Sequence, residues 1–294
     1  MAHLFCLLAK RSSSAVLLKS GPGRPCCTIG WNRERDTFEV GQWLGHRIVW
    51  IDLSSDGQFL LYYVNRHRWS EENSYYQAVS RSPWLKALTF WGSPPRGYGT
   101  WPHMGMFASG GRGAETIYVE PHEVYPVPPE PEWDELRLPI LRKSPFPEAK
   151  LLELGYSGIR LLRDGWRPVT PAPPASSEDL AIRARLDGRA VFDKLGPEGW
   201  QIRQTCWRGT LRSKGQNQNR RNGEFETFSL VSPSGDVFDE PSWEWADFDD
   251  ERGRVVWTRD CCLFAAKITG NRREDPTVLL DTREMKFERR VAPY

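Results

Sequence analysis

Asp52 and Asp247 hold matching places in two similar stretches, WIDLSSDGQFLLYY over residues 50–63 and WADFDDERGRVVWT over 245–258. Two carboxylates gathered in one cleft can serve as acid and as nucleophile or base in glycan hydrolysis. Repetition also fits a simpler role, in which a strand-end aspartate accepts backbone N–H bonds and holds a turn. The turn-holding role is expected for both residues. A second candidate is GYGTWPHMGMFASGGRG, residues 97–113, where Trp101 offers a stacking face, His103 a polar group and Arg112 a cation for an anionic ligand. Glycines there let a ligand approach the backbone closely. The competing expectation is that Trp101 packs between sheets and that the glycine run is a hairpin loop.

Other chemistries are poorly served. Ser109 precedes a Gly pair in a turn-like context, the chain lacks the G-x-S-x-G elbow, and five histidines leave few bases for a nucleophile. Neither G-x-x-x-x-G-K-[ST] nor G-x-G-x-x-G is present to cradle phosphate. Cysteines 6, 26, 27, 206, 261 and 262 show no C-x-x-C pair or zinc-type Cys/His spacing, so no metal and no cofactor is expected. On strands the adjacent pairs Cys26-Cys27 and Cys261-Cys262 would point to opposite faces, which puts one thiol of each in the core.

The elements that must position these residues are β-strands. The chain of 294 residues is 39% apolar, 12% aromatic and 27% charged, a composition that folds and dissolves. Its net charge of +2 is too small for the broad positive field that nucleic-acid binding uses. The polar run RSKGQNQNRRNG, with Arg212, Lys214, Arg220 and Arg221, reads as a solvated loop because no aromatics are interleaved for base stacking. The first residues carry only about six apolar positions and no preceding basic region, and no window approaches the roughly 18 apolar residues of a membrane span. A cytoplasmic location without membrane contact is expected.

Short β-rich runs alternate with glycine turns at Asp56-Gly57, Asp187-Gly188, Asn222-Gly223 and Ser234-Gly235. Ser82-Pro83 and Pro147 each offer the start of a short helix, and prolines between 121 and 147 indicate a long loop. A further echo pairs LLRDGWRPV (161–169) with KLGPEGWQI (194–202). Trp43, Trp50, Trp245 and Trp257 lie in strand-like runs and are expected in the core. The acidic run 240–251 is expected to be a solvated strand edge and turn.

Repeated hairpin units of about 40 to 50 residues predict an all-β, β-propeller-like fold, one domain over 1–294, with about five to seven small antiparallel blades and few short helices. Strands near Val16–Lys19 and Val278–Leu280 are expected to share one blade and close the ring. The pieces DLSSDGQFLLYY and EWADFDDERGRVVWTRDCCLF resemble the strand–turn–strand units of WD40-like and TolB-like propellers. DTFEVGQW (36–43) and the final KFERRVAPY are similar to segments of functionally uncharacterised bacterial propeller-like proteins. The resemblance implies a fold and leaves the activity to the site. With no coherent catalytic set, the expected role is a non-enzymatic binding or scaffold protein, with another protein or a small ligand as partner. A glycan hydrolase using channel-lining carboxylates is the alternative.

Overall fold

The computed structural model describes residues 3–21, 25–66, 75–93, 105–109, 115–119, 140–141, 160–169, 189–208 and 224–294. The chain divides into two compact units, residues 1–145 with 284–294, and residues 146–283. Both are built from antiparallel meanders.

In the first unit, β1 (His3–Leu8), β2 (Ser14–Ser20), β3 (Cys26–Asn32) and β4 (Thr37–Leu44) form one four-stranded sheet in chain order. β5 (Arg47–Leu53), β6 (Phe59–Asn65), β7 (Tyr75–Arg81) and β8 (Ala87–Ser93) form a second. β9 (Gly105–Ser109), β10 (Glu115–Val119) and β11 (Ile140–Leu141) form a third, smaller sheet, in which only β10 and β11 run parallel. Except for their end residues, β2 and β6 are buried throughout, so their long apolar runs replace the alternation of a one-sided sheet.

The first two sheets interlock through their turns. Gly57 at φ +77° shapes the β5–β6 turn, and a Cβ there would lie 2.5 Å from the Cβ of Ser14. That close approach lets the Ser12 hydroxyl donate to the Asp56 carbonyl at 2.7 Å and the Arg11 amide to Ser55 at 2.8 Å.

In the second unit, β12 (Arg167–Pro168), β13 (Arg189–Leu195), β14 (Gln201–Arg208), β15 (Glu224–Val231) and β16 (Val237–Glu240) form one sheet. β17 (Trp245–Asp249), β18 (Arg254–Arg259), β19 (Cys262–Thr269), β20 (Arg272–Arg273) and β21 (Thr277–Asp281) form the other, β20 and β21 both pairing with β19. Trp166, Phe192, Trp200, Trp243, Phe248 and Trp257 build a common core. Gly196 admits the Phe248 ring where any Cβ would collide with it, and the Trp200 indole donates to the Gly270 carbonyl at 2.7 Å. Trp257 stacks between Trp243 at 4.9 Å and Phe264 at 5.6 Å.

The fold is all-β and β-propeller-like: the described residues form four meanders of four or five strands and one three-stranded sheet. The repeat at 50–63 and 245–258 is structural, each copy spanning the first hairpin of its sheet.

Several expectations are corrected. Ser82-Pro83 starts no helix; residues 81–86 form a turn into β8, because neighbouring side chains take up their backbone groups. Among the described residues the only α-helical turn covers 160–163. Of the Gly-Trp echo, one copy is the end of that turn and the other is the β13–β14 connection. Their likeness is limited to a positive-φ glycine before a buried tryptophan. Residues 16–19 and 278–280 share no sheet: β2 pairs with β1 and β3, and β21 with β19.

Both cysteines of each adjacent pair are buried: Cys26 and Cys27 lie together in β3, whereas Cys261 sits in the β18–β19 turn at φ +60°, outside any strand alternation, and Cys262 begins β19. The acidic run does form an edge strand, β17, and an exposed turn at 250–251, but the strand is not solvated: Ala246, Asp247, Phe248 and Asp249 are buried, as is Trp243 before it. Trp257 is buried as expected, whereas Trp43, Trp50 and Trp245 are half-buried. No helix among the described residues is long and apolar enough to cross a membrane.

Candidate functional site

Asp52 and Asp247, the repeated carboxylates, are both buried, in β5 and β17. Asp247 accepts from the Lys194 ammonium at 2.5 Å and from the Phe248 amide at 2.7 Å. Burial pushes its carboxyl above the ordinary range, while Lys194 and the amide pull it down. Burial also acts against the Lys194 cation, but the charge and hydrogen bond of Asp247, with Asp164 and Asp250, outweigh it and hold the ammonium above its usual value. Beside the turn of the same hairpin, where Asp249 ends β17 and Arg254 begins β18, the two form a second ion pair at 2.9 Å, both buried. These carboxylates are consumed by internal pairing, which is what buried charge requires.

Trp101, His103, Arg112 and Ser109 belong to the stretch proposed as a ligand loop. Trp101, His103 and Arg112 lie outside the described residues, and Ser109 is described only as the end of β9. The turns expected at Asp187-Gly188 and Asn222-Gly223, the helix expected near Pro147 and the run 212–223 also lie outside them.

The site the structure does assemble is on the first unit, where residues 284–294 return to the β1–β4 sheet. Cross-strand pairing puts Lys19, Cys27 and Trp43 in one row on one face of that sheet. The returning segment crosses this row: Lys19 donates to the Met285 carbonyl at 3.2 Å, and Phe287 packs against Trp43 at 5.8 Å. Burial pushes the Cys27 thiol up to about 12, with Cys26 adding to it and the nearby Arg290 and Lys19 cations opposing it. Cys26 also rises to about 12, chiefly by burial. Neither thiol is a nucleophile at neutral pH.

β4 is the sheet's edge strand, and it carries an extra residue opposite Cys27–Ile29, a bulge at Gly41-Gln42. The bulge, on the other face, receives the β7–β8 turn. The Thr28 hydroxyl donates to the Pro83 carbonyl at 2.5 Å, and the Gln42 side-chain oxygen accepts the Leu85 amide at 3.1 Å. The Tyr62 hydroxyl donates to the Leu85 carbonyl at 2.6 Å from the second sheet. With the turn held on that side, Arg81 and Lys86 are left to meet the segment. Arg290 donates to the Val40 carbonyl on β4 at 3.2 Å, and Tyr294 ends beside the turn. Its hydroxyl donates to the Lys86 carbonyl at 2.8 Å and accepts the Arg81 amide at 3.1 Å. The Arg81 guanidinium and Lys86 ammonium lie 5.7 and 5.2 Å from the ring centre. Lys86 also bonds the Tyr294 backbone oxygen.

No family model, no curated protein and no solved structure matches the chain. The arrangement therefore has to be read from its own chemistry. It is a surface that holds an extended peptide by a lysine on a carbonyl, an aromatic shelf, an edge-strand carbonyl and a tyrosine cradle.

Sequence reasoning missed this surface. KFERRVAPY carries aromatics seven residues apart, Phe287 and Tyr294, but nothing in it names the sheet to which it returns.

Proposed function

We propose that the protein is a non-enzymatic binding scaffold of propeller type, related in plan to WD40-like or TolB-like proteins of bacteria, and that its partner is another protein. The observation that carries this reading is the β1–β4 sheet's grip on an extended segment through side chains and loop carbonyls. Such a surface suits recognition of extended chain, in which spaced pockets and backbone bonds share the work. The internal pairing of Asp247 and Asp249 speaks against a role for those carboxylates in glycan hydrolysis. Six free thiols fit a reducing, cytoplasmic setting.

The test is capture of the tagged full chain from its native extract, with native mass spectrometry of what is retained. A reproducible stoichiometric protein partner supports the reading. Hydrolysis of a glycan panel that is abolished by Asp52→Asn or Asp247→Asn, with folding intact, would replace it.

A further inference from the structure

We propose that residues 284–294 are a latch that opens and closes as one local unit over the Lys19–Cys27–Trp43 row, and that its closed state keeps Cys27 from reacting. The inference goes beyond the scaffold reading, because it needs no partner.

The latch covers one face of β3. Cys27 pairs across the sheet with Lys19 on one side and Trp43 on the other. The segment is anchored at both, by its Met285 carbonyl on Lys19 and by Phe287 against Trp43. Cys27 stands between these anchors and is 0% exposed. Burial holds its thiol at about 12, and Arg290 and Glu288 of the segment are near enough to act on it. Cys26, one residue earlier, points to the other face, where Thr28 meets the Pro83 carbonyl. Opening the latch therefore uncovers one thiol of the pair and leaves its neighbour buried.

The segment can open without the rest of the fold. It forms no strand, so no sheet ladder holds it. Phe287 is 59% exposed and Val291 79%, and Ala292 is the segment's one buried residue. Beyond the two anchors on the row, Arg290 holds the Val40 carbonyl and Tyr294 the β7–β8 turn. Segments with few buried apolar contacts open at low free-energy cost. The row itself is set by the pairing of β2, β3 and β4, to which the segment adds nothing. Once uncovered, the thiol loses the burial that raises it and keeps the Lys19 cation as a cross-strand neighbour, which favours its thiolate.

The test is pulse labelling of the full chain with iodoacetamide, whose iodide the thiolate displaces to leave a thioether. Fragment mass spectrometry assigns the label to each cysteine. In the unaltered chain Cys27 should react at least about tenfold faster than Cys26, at a rate that urea below the unfolding transition leaves flat. Arg290→Ala with Tyr294→Ala should raise the Cys27 rate at least about tenfold more and leave that of Cys26 unchanged. Phe287→Ala, at an exposed position, supplies a milder opening variant should the double variant unfold. Equal rates for Cys26 and Cys27 in the unaltered chain overturn the proposal, as does a rise of both thiols together in Phe287→Ala. A Cys27 rate that climbs with urea in step with that of Cys26 overturns it too, since the segment then opens only when the whole unit does.

Discussion

Pro83 lies against Gly41, and a Cβ on that glycine would collide with the Pro83 carbonyl oxygen while standing 2.9 Å from the Thr28 hydroxyl. Gly41 sits in the β4 bulge, so the missing side chain is what allows the β7–β8 turn to seat on the first sheet. Gly41→Ala should cost about 1–3 kcal/mol by overpacking, measured by chemical denaturation. Gly45→Ala, where no atom lies within 4 Å of the added carbon, should stay within roughly 0.5 kcal/mol of the parent. Similar losses for both would mean that the turn does not depend on this contact.

Lys194→Met should be among the most damaging single changes in the second unit. It strands the Asp247 carboxylate in the interior, at a cost of about 3–5 kcal/mol near neutral pH. The deficit relative to the parent should shrink as pH falls, because Asp247 is already held above the usual carboxylate range and readily takes a proton once its cation is gone. Pairing Lys194→Met with Asp247→Asn should recover most of the loss. A double variant no better than the single one would show that the pair is not the source.

Alkaline pH should unfold the first unit in a predictable window. Cys26 and Cys27 are pushed to about 12, and burial raises the Tyr62 phenol as well. All three keep their protons in the folded state while the unfolded chain releases them above about pH 8.5 to 10. Their contribution is therefore complete below that range and falls as pH climbs toward the folded values. Denaturant midpoints between pH 8 and 11 should decline, and Cys26→Ala with Cys27→Ala should flatten the slope. An unchanged slope would assign the decline to other groups.

Trp257 lies between Trp243 and Phe264, and Trp243 is 1% exposed. Trp243→Ala should cost about 3–5 kcal/mol through the cavity it leaves. The same substitution should remove the exciton coupling of the two stacked indoles from the circular dichroism spectrum. A full-sized couplet in a folded Trp243→Ala protein would place its origin in another pair.

Hairpins were legible because a turn is a local event. The apolar runs beside Asp56-Gly57 and Ser234-Gly235 state both strands and the positive φ between them, and Gly57 and Gly235 have it, at +77° and +90°. The repeat linking Trp50 with Trp245 was legible for the same reason, since each copy is one hairpin. The Ser82-Pro83 turn misled because its fate depends on Thr28, Gln42 and Tyr62, whose bonds to it span 23 to 55 positions of the chain.

The sequence by itself determined the β-strands of the repeated hairpins, their turns and the all-β class, because apolar runs and glycine turns act within a few residues. Tertiary structure alone decided which charges disappear into pairs and where the last residues go. Asp247 reads as a turn-holding aspartate, with one place in a catalytic carboxylate pair as the alternative, until Lys194, 53 positions earlier, is found 2.5 Å from it. Nothing in residues 284–294 names a sheet, yet Tyr294 donates to the Lys86 carbonyl across a sequence separation of 208. Burial and pairing depend on neighbours that the chain supplies only after it has closed on itself, and no local pattern encodes their identity.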